Sequence, residues 1–286
     1  MMNNEITATR TSLQKTTFIW NPLTIANSLW REKQLIGQFV KREIAIRYRG
    51  SYLGLLWSFI TPFCMLVVYT FVFSVVFQAR WGDGDGGKAV FALLLFAGIT
   101  TFNILSEVLL KAPYVVIGNA NYVKKVVFPL EILPVVTLGA ALVNAGISLL
   151  ILLVGVFFVQ GAVHWTAVFV PVVLMPLLLF SLGFGWLLAS LGVFLRDIGH
   201  IIGLGVQALM FLSPIFYPIS AIPAELQIIY YINPLSYVVE DMRRIVVNGQ
   251  LPSWEWLLLG TAVGLVVAVL GYNWFQKTRG GFADVM

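Results

Sequence analysis

The residues with the strongest claim to chemistry are GDGDGGKA at positions 82–89. They nearly fit G-x-x-x-x-G-K-[ST], where glycine N–H groups cradle phosphates, the lysine reaches the terminal phosphates and a hydroxyl holds magnesium. Here Ala89 replaces the hydroxyl, and Asp83 and Asp85 would repel the phosphates. No buried strand precedes the segment and a long apolar run follows it. A calcium loop fails as well, because Gly87 stands at the third oxygen ligand and Leu94 at the closing glutamate. The segment reads as a hairpin loop, and no nucleotide site is expected in this chain. His164 and His200 are far apart, and no paired carboxylates or Cys/His cluster has ligand spacing. Cys64 is the single cysteine, which rules out an internal disulfide.

Such poverty of chemistry goes with an apolar chain. Of 286 residues, 59% are hydrophobic and 11% charged, and the mean hydropathy is +0.89. Soluble domains carry roughly 25% charged residues, so this excess of apolar surface belongs in a bilayer. Runs at about 54–78, 89–110, 132–159, 165–195, 199–219 and 254–275 are each long enough to be candidate spans. Pro171 and Pro176 interrupt the fourth, and Pro214 and Pro218 the fifth. The middle of these runs lacks the ionisable groups that ion-coupled pumps use as relays. Energy, if used, is therefore expected from a partner. With both termini inside, 14 of the 18 Lys and Arg residues fall on the cytoplasmic side, as the positive-inside rule favours. Residues 1–22 are polar and do not read as a signal peptide.

Between the spans lie the segments that would position a function. Residues 23–49 are too charged to cross. Ile25, Leu29, Ile36, Val40 and Ile44 share one helical face, Asn21 can cap and Pro22 can open the helix. The spacing predicts a basic amphipathic helix on the inner membrane surface. The loop at 111–131, with Tyr114, Val115, Ile117 and Asn119, is either a docking element or an ordinary connector; a short helix ended by Gly118-Asn119 is expected in it. Residues 213–250 are apolar yet broken by Pro214, Pro218, Pro223 and Pro234, and carry Phe216, Tyr217, Tyr230, Tyr231 and Tyr237. They read as re-entrant helices at the outer mouth of a pathway, or as interfacial aromatic anchors. Tyr52, Phe59, Phe63, Thr70, Phe73 and Phe77 fall on one stripe of the first span. Aromatic faces suit sugar rings, although lipid contact or helix packing explains the stripe more simply. Gly50/Gly54, Gly199/Gly203 and Gly260/Gly264 suggest close helix packing.

The stretches REIAIRYRGSYLGLLWSFITPF (42–63), NYVKKVVFPLEILP (121–134), RDI (196–198), SPIFYP (213–218) and NPL (233–235) occur in order. Together they resemble the membrane subunit of ABC-2 type polysaccharide exporters, over about residues 25–280. The resemblance implies an all-α integral membrane fold: six transmembrane helices at 50–276, an amphipathic interface helix at 23–49, a cytoplasmic coupling helix at about 112–124 and gate helices at about 215–248. Residues 1–22 and 277–286 would be cytoplasmic ends. It also implies a homodimer working with two copies of a separate ATPase, which binds ATP and magnesium; this chain would need no cofactor. A lipid-facing gate would involve Arg47, Tyr48, Arg49 and Tyr52, with the two arginines meeting the diphosphate of a lipid-linked glycan or simply anchoring the helix. Phe59, Phe63, Phe73 and Phe77 would line the path. The expected partners are the ATPase, a second copy, membrane lipids and the polymer, with no nucleic acid, in a bacterial inner membrane. O-antigen on a polyprenyl diphosphate is the first choice of cargo, before capsule and teichoic acid. A drug or lipid exporter is the alternative, and a passive channel or scaffold a third.

Overall fold

The computed structural model describes residues 21–76, 87–124, 128–219 and 222–286. The chain begins as expected: the Asn21 side chain accepts a hydrogen bond from the Leu23 N–H at 2.9 Å and Pro22 opens helix α1 (Pro22–Arg31). The helix foreseen at 23–49 is divided at Glu32 (φ −91°, ψ 10°), and α2 (Lys33–Tyr48) continues from there. This is a bend rather than a stop, since the Glu32 N–H bonds the Leu29 carbonyl and its own carbonyl accepts from Ile36. The apolar face is as read: Ile25 is buried, and Leu29, Ile36, Val40 and Ile44 are half-buried.

Gly50 and Gly54 both have positive φ, and no atom lies within 4 Å of a Cβ built on either. They make the turn out of α2 rather than a packing seam, which corrects the sequence reading of that pair. Helix α3 (Trp57–Tyr69) follows and ends in a π-helical stretch, Thr70–Val76. Only Gly87, Lys88 and Ala89 of the glycine-rich 82–89 segment are among the described residues, and Lys88 opens α4 (Lys88–Val115). Beyond it come α5 (Ala120–Lys124), α6 (Ile132–Gln160), α7 (Val170–Phe194), α8 (Ile198–Phe211), α9 (Gln227–Ile232), α10 (Pro234–Val246), α11 (Trp254–Thr278) and α12 (Phe282–Val285).

The chain is an all-α integral membrane protein. Among the described residues, four stretches are long and apolar enough to cross a bilayer: Lys88–Val115, Ile132–Gln160, Trp165–Phe194 and Trp254–Val285. They lie where the second, third, fourth and sixth spans were expected. Shorter apolar helices, Trp57–Val72 and Ile198–Phe211, occupy the first and fifth places. At 1.5 Å per residue the 14-residue α8 is about 21 Å long, against a hydrocarbon core of about 30 Å. Pro214 and Pro218 prevent its continuation, and the chain turns after Phe211.

Helix α4 is the axis of the bundle. It packs on α6, α7, α8 and α10, and most of its length is buried. α7 and α11 form the most extensive helix pair. A second apolar cluster closes the end where the basic residues gather: Ile25, Val116, Leu130, Leu133, Trp186, Val193, Tyr272, Phe275 and Phe282 meet there. The tail foreseen at 277–286 is thus packed, with Phe282 buried against Phe275 and Phe194.

Candidate functional site

Two regions gather the side chains that could act. At the basic end, α2 lies along α6, where Val40 occupies the notch left by Gly139. The last two turns of α2 face the end of α4. Glu43 pairs with Lys111 at 2.9 Å, Lys111 with Glu107 at 3.2 Å, and Arg47 with Glu107. Asn144 of α6 donates to the other Glu107 oxygen at 3.2 Å. Next to Glu43, Arg42 donates to the Tyr122 hydroxyl at 2.8 Å and lies 4.3 Å over the Phe39 ring. Phe39 packs on Tyr122 and on Phe128, and those two stack at 4.6 Å. A cation over an aromatic face contributes roughly 0.5–1 kcal/mol even when exposed. The segment after α4 is therefore clipped to α2 rather than hanging free.

The residues foreseen in the 111–131 loop take several different places. α4 runs through Pro113 to Val115 without breaking. Pro113 is buried against α7, and Gly192 has no room for a side chain there: a Cβ would lie 1.9 Å from the Pro113 carbonyl oxygen. The short helix expected around Tyr114, Val115 and Ile117 is thus the end of α4, a 3₁₀ turn at Ile117–Asn119 and α5. The Tyr114 hydroxyl would lie 2.0 Å from a Cβ on Gly199, so this ring rests on the start of α8. Val115 is half-buried in the basic-end cluster, and the Asn119 side chain donates to the Val115 carbonyl, closing α4. Tyr114 is nonetheless half exposed, and Ile117, Gly118 and Asn121 are exposed with it.

Of the four residues expected at a lipid gate, Arg47 is joined to Glu107, Arg49 and Tyr52 are exposed, and for Tyr48 only the backbone is described. Tyr52 lies in the turn before α3, not on the helical stripe foreseen for it. Phe59 and Phe63 are exposed on α3. Thr70 is half-buried and donates to the Leu66 carbonyl one turn back at 2.6 Å. Phe73 is described in its backbone alone, and Phe77 falls outside the described residues.

At the opposite end the five aromatics between 216 and 237 fall into three small groups. Tyr217 donates to the Phe211 carbonyl, and its hydroxyl lies 2.7 Å from that of buried Tyr230. Phe216 packs on Phe211 and meets Tyr69 edge-on. Tyr237 donates to the Tyr231 carbonyl at 2.8 Å and stacks on Trp256 at 4.3 Å. The fully buried Arg243 holds this region to the bundle. Its Nε donates to the Leu94 carbonyl at 2.9 Å, Nη1 to Pro214 at 2.6 Å and Nη2 to Ile215 at 2.7 Å. Leu94 lies six residues into α4, about 9 Å along its axis. α10 therefore lies beside the span rather than beyond its end.

Sequence reasoning passed over Glu107 and the role of Arg42, Tyr122 and Phe128. A carboxylate in an otherwise apolar run, with a lysine four residues later, is the signal that marks Glu107.

The family model described as ABC-2 type transporter matches residues 34–247. The O-antigen export system permease protein RfbA of Myxococcus xanthus is 28% identical over 265 residues, which cover 92% of this chain and 99% of that relative. Two proteins of the same name from Klebsiella pneumoniae are each 23% identical over 254 residues, covering 88% of this chain and 95% of the relative. The match spans both regions just described, from α2 through α10. A multi-pass permease that leaves ATP hydrolysis to a partner subunit, this chain belongs to the ABC-2 type transporter family.

Proposed function

We propose that this permease carries a lipid-linked polysaccharide, O-antigen on a polyprenyl diphosphate, across the bacterial inner membrane. It works as a homodimer with two copies of a cytoplasmic ABC ATPase, which bind ATP and magnesium. Both termini are cytoplasmic, the shorter α3 and α8 serve as the first and fifth of six spans, and α1–α2 is the interface helix. What carries the reading is the near full-length similarity to relatives named as O-antigen export permeases. The burial of α10 beside α4 supports a re-entrant outer segment, with Phe216, Tyr217, Tyr230, Tyr231 and Tyr237 forming its gate. Phe59 and Phe63, with Phe73 and Phe77, supply an aromatic wall along which a sugar polymer slides. Arg49 receives the diphosphate near the inner leaflet, with Tyr48 and Tyr52 as further candidates for the same gate. Guanidinium binds phosphate oxygens bidentately, so Arg49→Lys keeps the charge but loses the fork.

The test is complementation. A strain that makes O-antigen but lacks its own permease regains surface polymer when it receives this chain with its ATPase, measured by labelling intact cells. Polymer retained inside, with the complex assembled in the membrane, overturns the reading; capsule or teichoic acid export under the same assay would redirect it to those cargoes.

Docking of the ATPase falls to the exposed part of the connector. Ile117→Asp with Asn121→Asp reduces co-purification of the ATPase by about tenfold or more, as loss of a hot spot of ~2 kcal/mol implies. Tyr114→Asp instead lowers the amount of folded permease, because its ring rests on Gly199. Equal ATPase recovery with the Ile117/Asn121 variant places the contact elsewhere.

A further inference from the structure

The end of α2 and the end of α4 carry the same charge pattern, an acid followed four residues later by a base. On α2, Glu43 and Arg47 are four residues apart, and on α4 so are Glu107 and Lys111; residues at that spacing share a helix face. The pairs meet antiparallel, Glu43 with Lys111 and Arg47 with Glu107. This arrangement admits one register. A slide of α2 by one turn, about 5.4 Å, brings Glu43 beside Glu107 in one direction and Arg47 beside Lys111 in the other. Either places like charges side by side and gives up an opposite-charge pair, most costly at the partly buried Glu107. Glu107 is the centre of the arrangement. It is partly buried, with Arg47 and Lys111 on one carboxylate oxygen and Asn144 of α6 on the other. A carboxylate this close to a span is expensive unless so paired.

We propose that Glu107 is a positioning residue for transport. Through Arg47 and Lys111 it fixes the register of α2 against α4, and through Asn144 it adds α6 to the same unit. Arg42, Phe39, Tyr122 and Phe128 join the other side of α2 to the connector. Movement of the connector is then delivered to α4, the axis of the bundle, without slippage. This rests on the transport reading above for its role, though the register itself does not.

Two measurements on the full complex with its ATPase separate the two. Spin labels at exposed Gln38 of α2 and Leu110 of α4 report the register directly, whatever the cargo. With one protomer of the dimer labelled, the native complex gives one narrow distance distribution with and without nucleotide. Glu107→Gln broadens it, and exchange of both pairs, Glu43→Lys with Lys111→Glu and Arg47→Glu with Glu107→Arg, narrows it again. In export, Glu107→Gln lowers surface polymer by about tenfold, within the range of ordinary coupling between sites, while ATPase recovery and ATP hydrolysis stay near native values. The paired exchange recovers most of the export. An unbroadened distribution in Glu107→Gln, or native export by it, overturns the proposal. If the native complex exports no polymer, the cargo reading has failed, and the spin-label distances still decide the register.

Discussion

Arg243→Ala collapses the segment between α8 and α10. The guanidinium is fully buried, stays charged, and fills three backbone carbonyls at once. The Pro214 and Ile215 carbonyls lie in a turn after α8, where no helical N–H is placed to replace it. An unpaired buried carbonyl costs about 1–3 kcal/mol, so the loss comes to roughly 3–5 kcal/mol despite the relief of no longer burying a charge. Arg243→Lys falls between, because an ammonium cannot reach three acceptors arranged for a planar fork. Gly98→Ala gives a milder form of the same defect, since its Cβ would stand 2.8 Å from Arg243 Nη2. The check is the thermal midpoint of detergent-solubilised permease, together with protease cleavage between residues 212 and 232. Faster cleavage and a lower midpoint in the order native, Gly98→Ala, Arg243→Lys, Arg243→Ala are expected. An unchanged midpoint for Arg243→Ala would mean that the segment is held by its aromatics alone.

Local signals in the sequence were legible, and contacts across the chain were not. The amphipathic face of α1–α2 was readable because it obeys a helical period, and its cap because Asn21-Pro22 carries the whole mechanism in two residues. The long apolar runs were readable for the same reason. Proline usually ends a helix, yet Pro113 sits within the last turn of α4, where Gly192 of α7, 79 residues away, gives its carbonyl room. For Arg47 the sequence offers a diphosphate or the membrane surface as partner but not Glu107, which is 60 residues distant. The tail after 276 offered only a lone Phe282, and nothing in its neighbours announced the pocket made by Phe194 and Phe275. The proline-broken stretch at 213–250 is recognisable as unusual from composition, but nothing local sets Arg243, the residue that holds it, apart from Glu240, Asp241 and Arg244 beside it.

Glycine shows the same division most sharply, and sets the second large effect. Gly50/Gly54 and Gly260/Gly264 look alike in sequence, but the first pair makes a turn. The second packs on α7, where a Cβ on Gly264 would lie 3.0 Å from Leu179 Cβ and 3.1 Å from the Pro176 carbonyl oxygen. The closest approach in that seam was not among the pairs picked out. A Cβ on Gly271 would be 2.1 Å from the Gly183 carbonyl oxygen, and one on Gly183 would be 2.5 Å from the Val267 carbonyl oxygen. The α7 and α11 backbones therefore touch, as small residues permit in membranes, where packing rather than the hydrophobic effect drives association. Both obstacles are backbone atoms, so no side chain can swing aside. Gly271→Ala must move two helices apart and loosen the neighbouring Trp186–Tyr272 contact and the Ser190–Thr278 hydrogen bond. Overpacking of a core costs about 1–3 kcal/mol, and this change belongs at or above the upper end; Gly271→Leu should prevent accumulation of folded permease. Gly146→Ala on α6, where nothing lies within 4 Å, is the control and should be neutral or stabilising by up to about 1 kcal/mol through helix propensity. Folded yield and thermal midpoint, measured side by side, decide the matter: if Gly271→Ala matches Gly146→Ala, the two helices are not held in backbone contact.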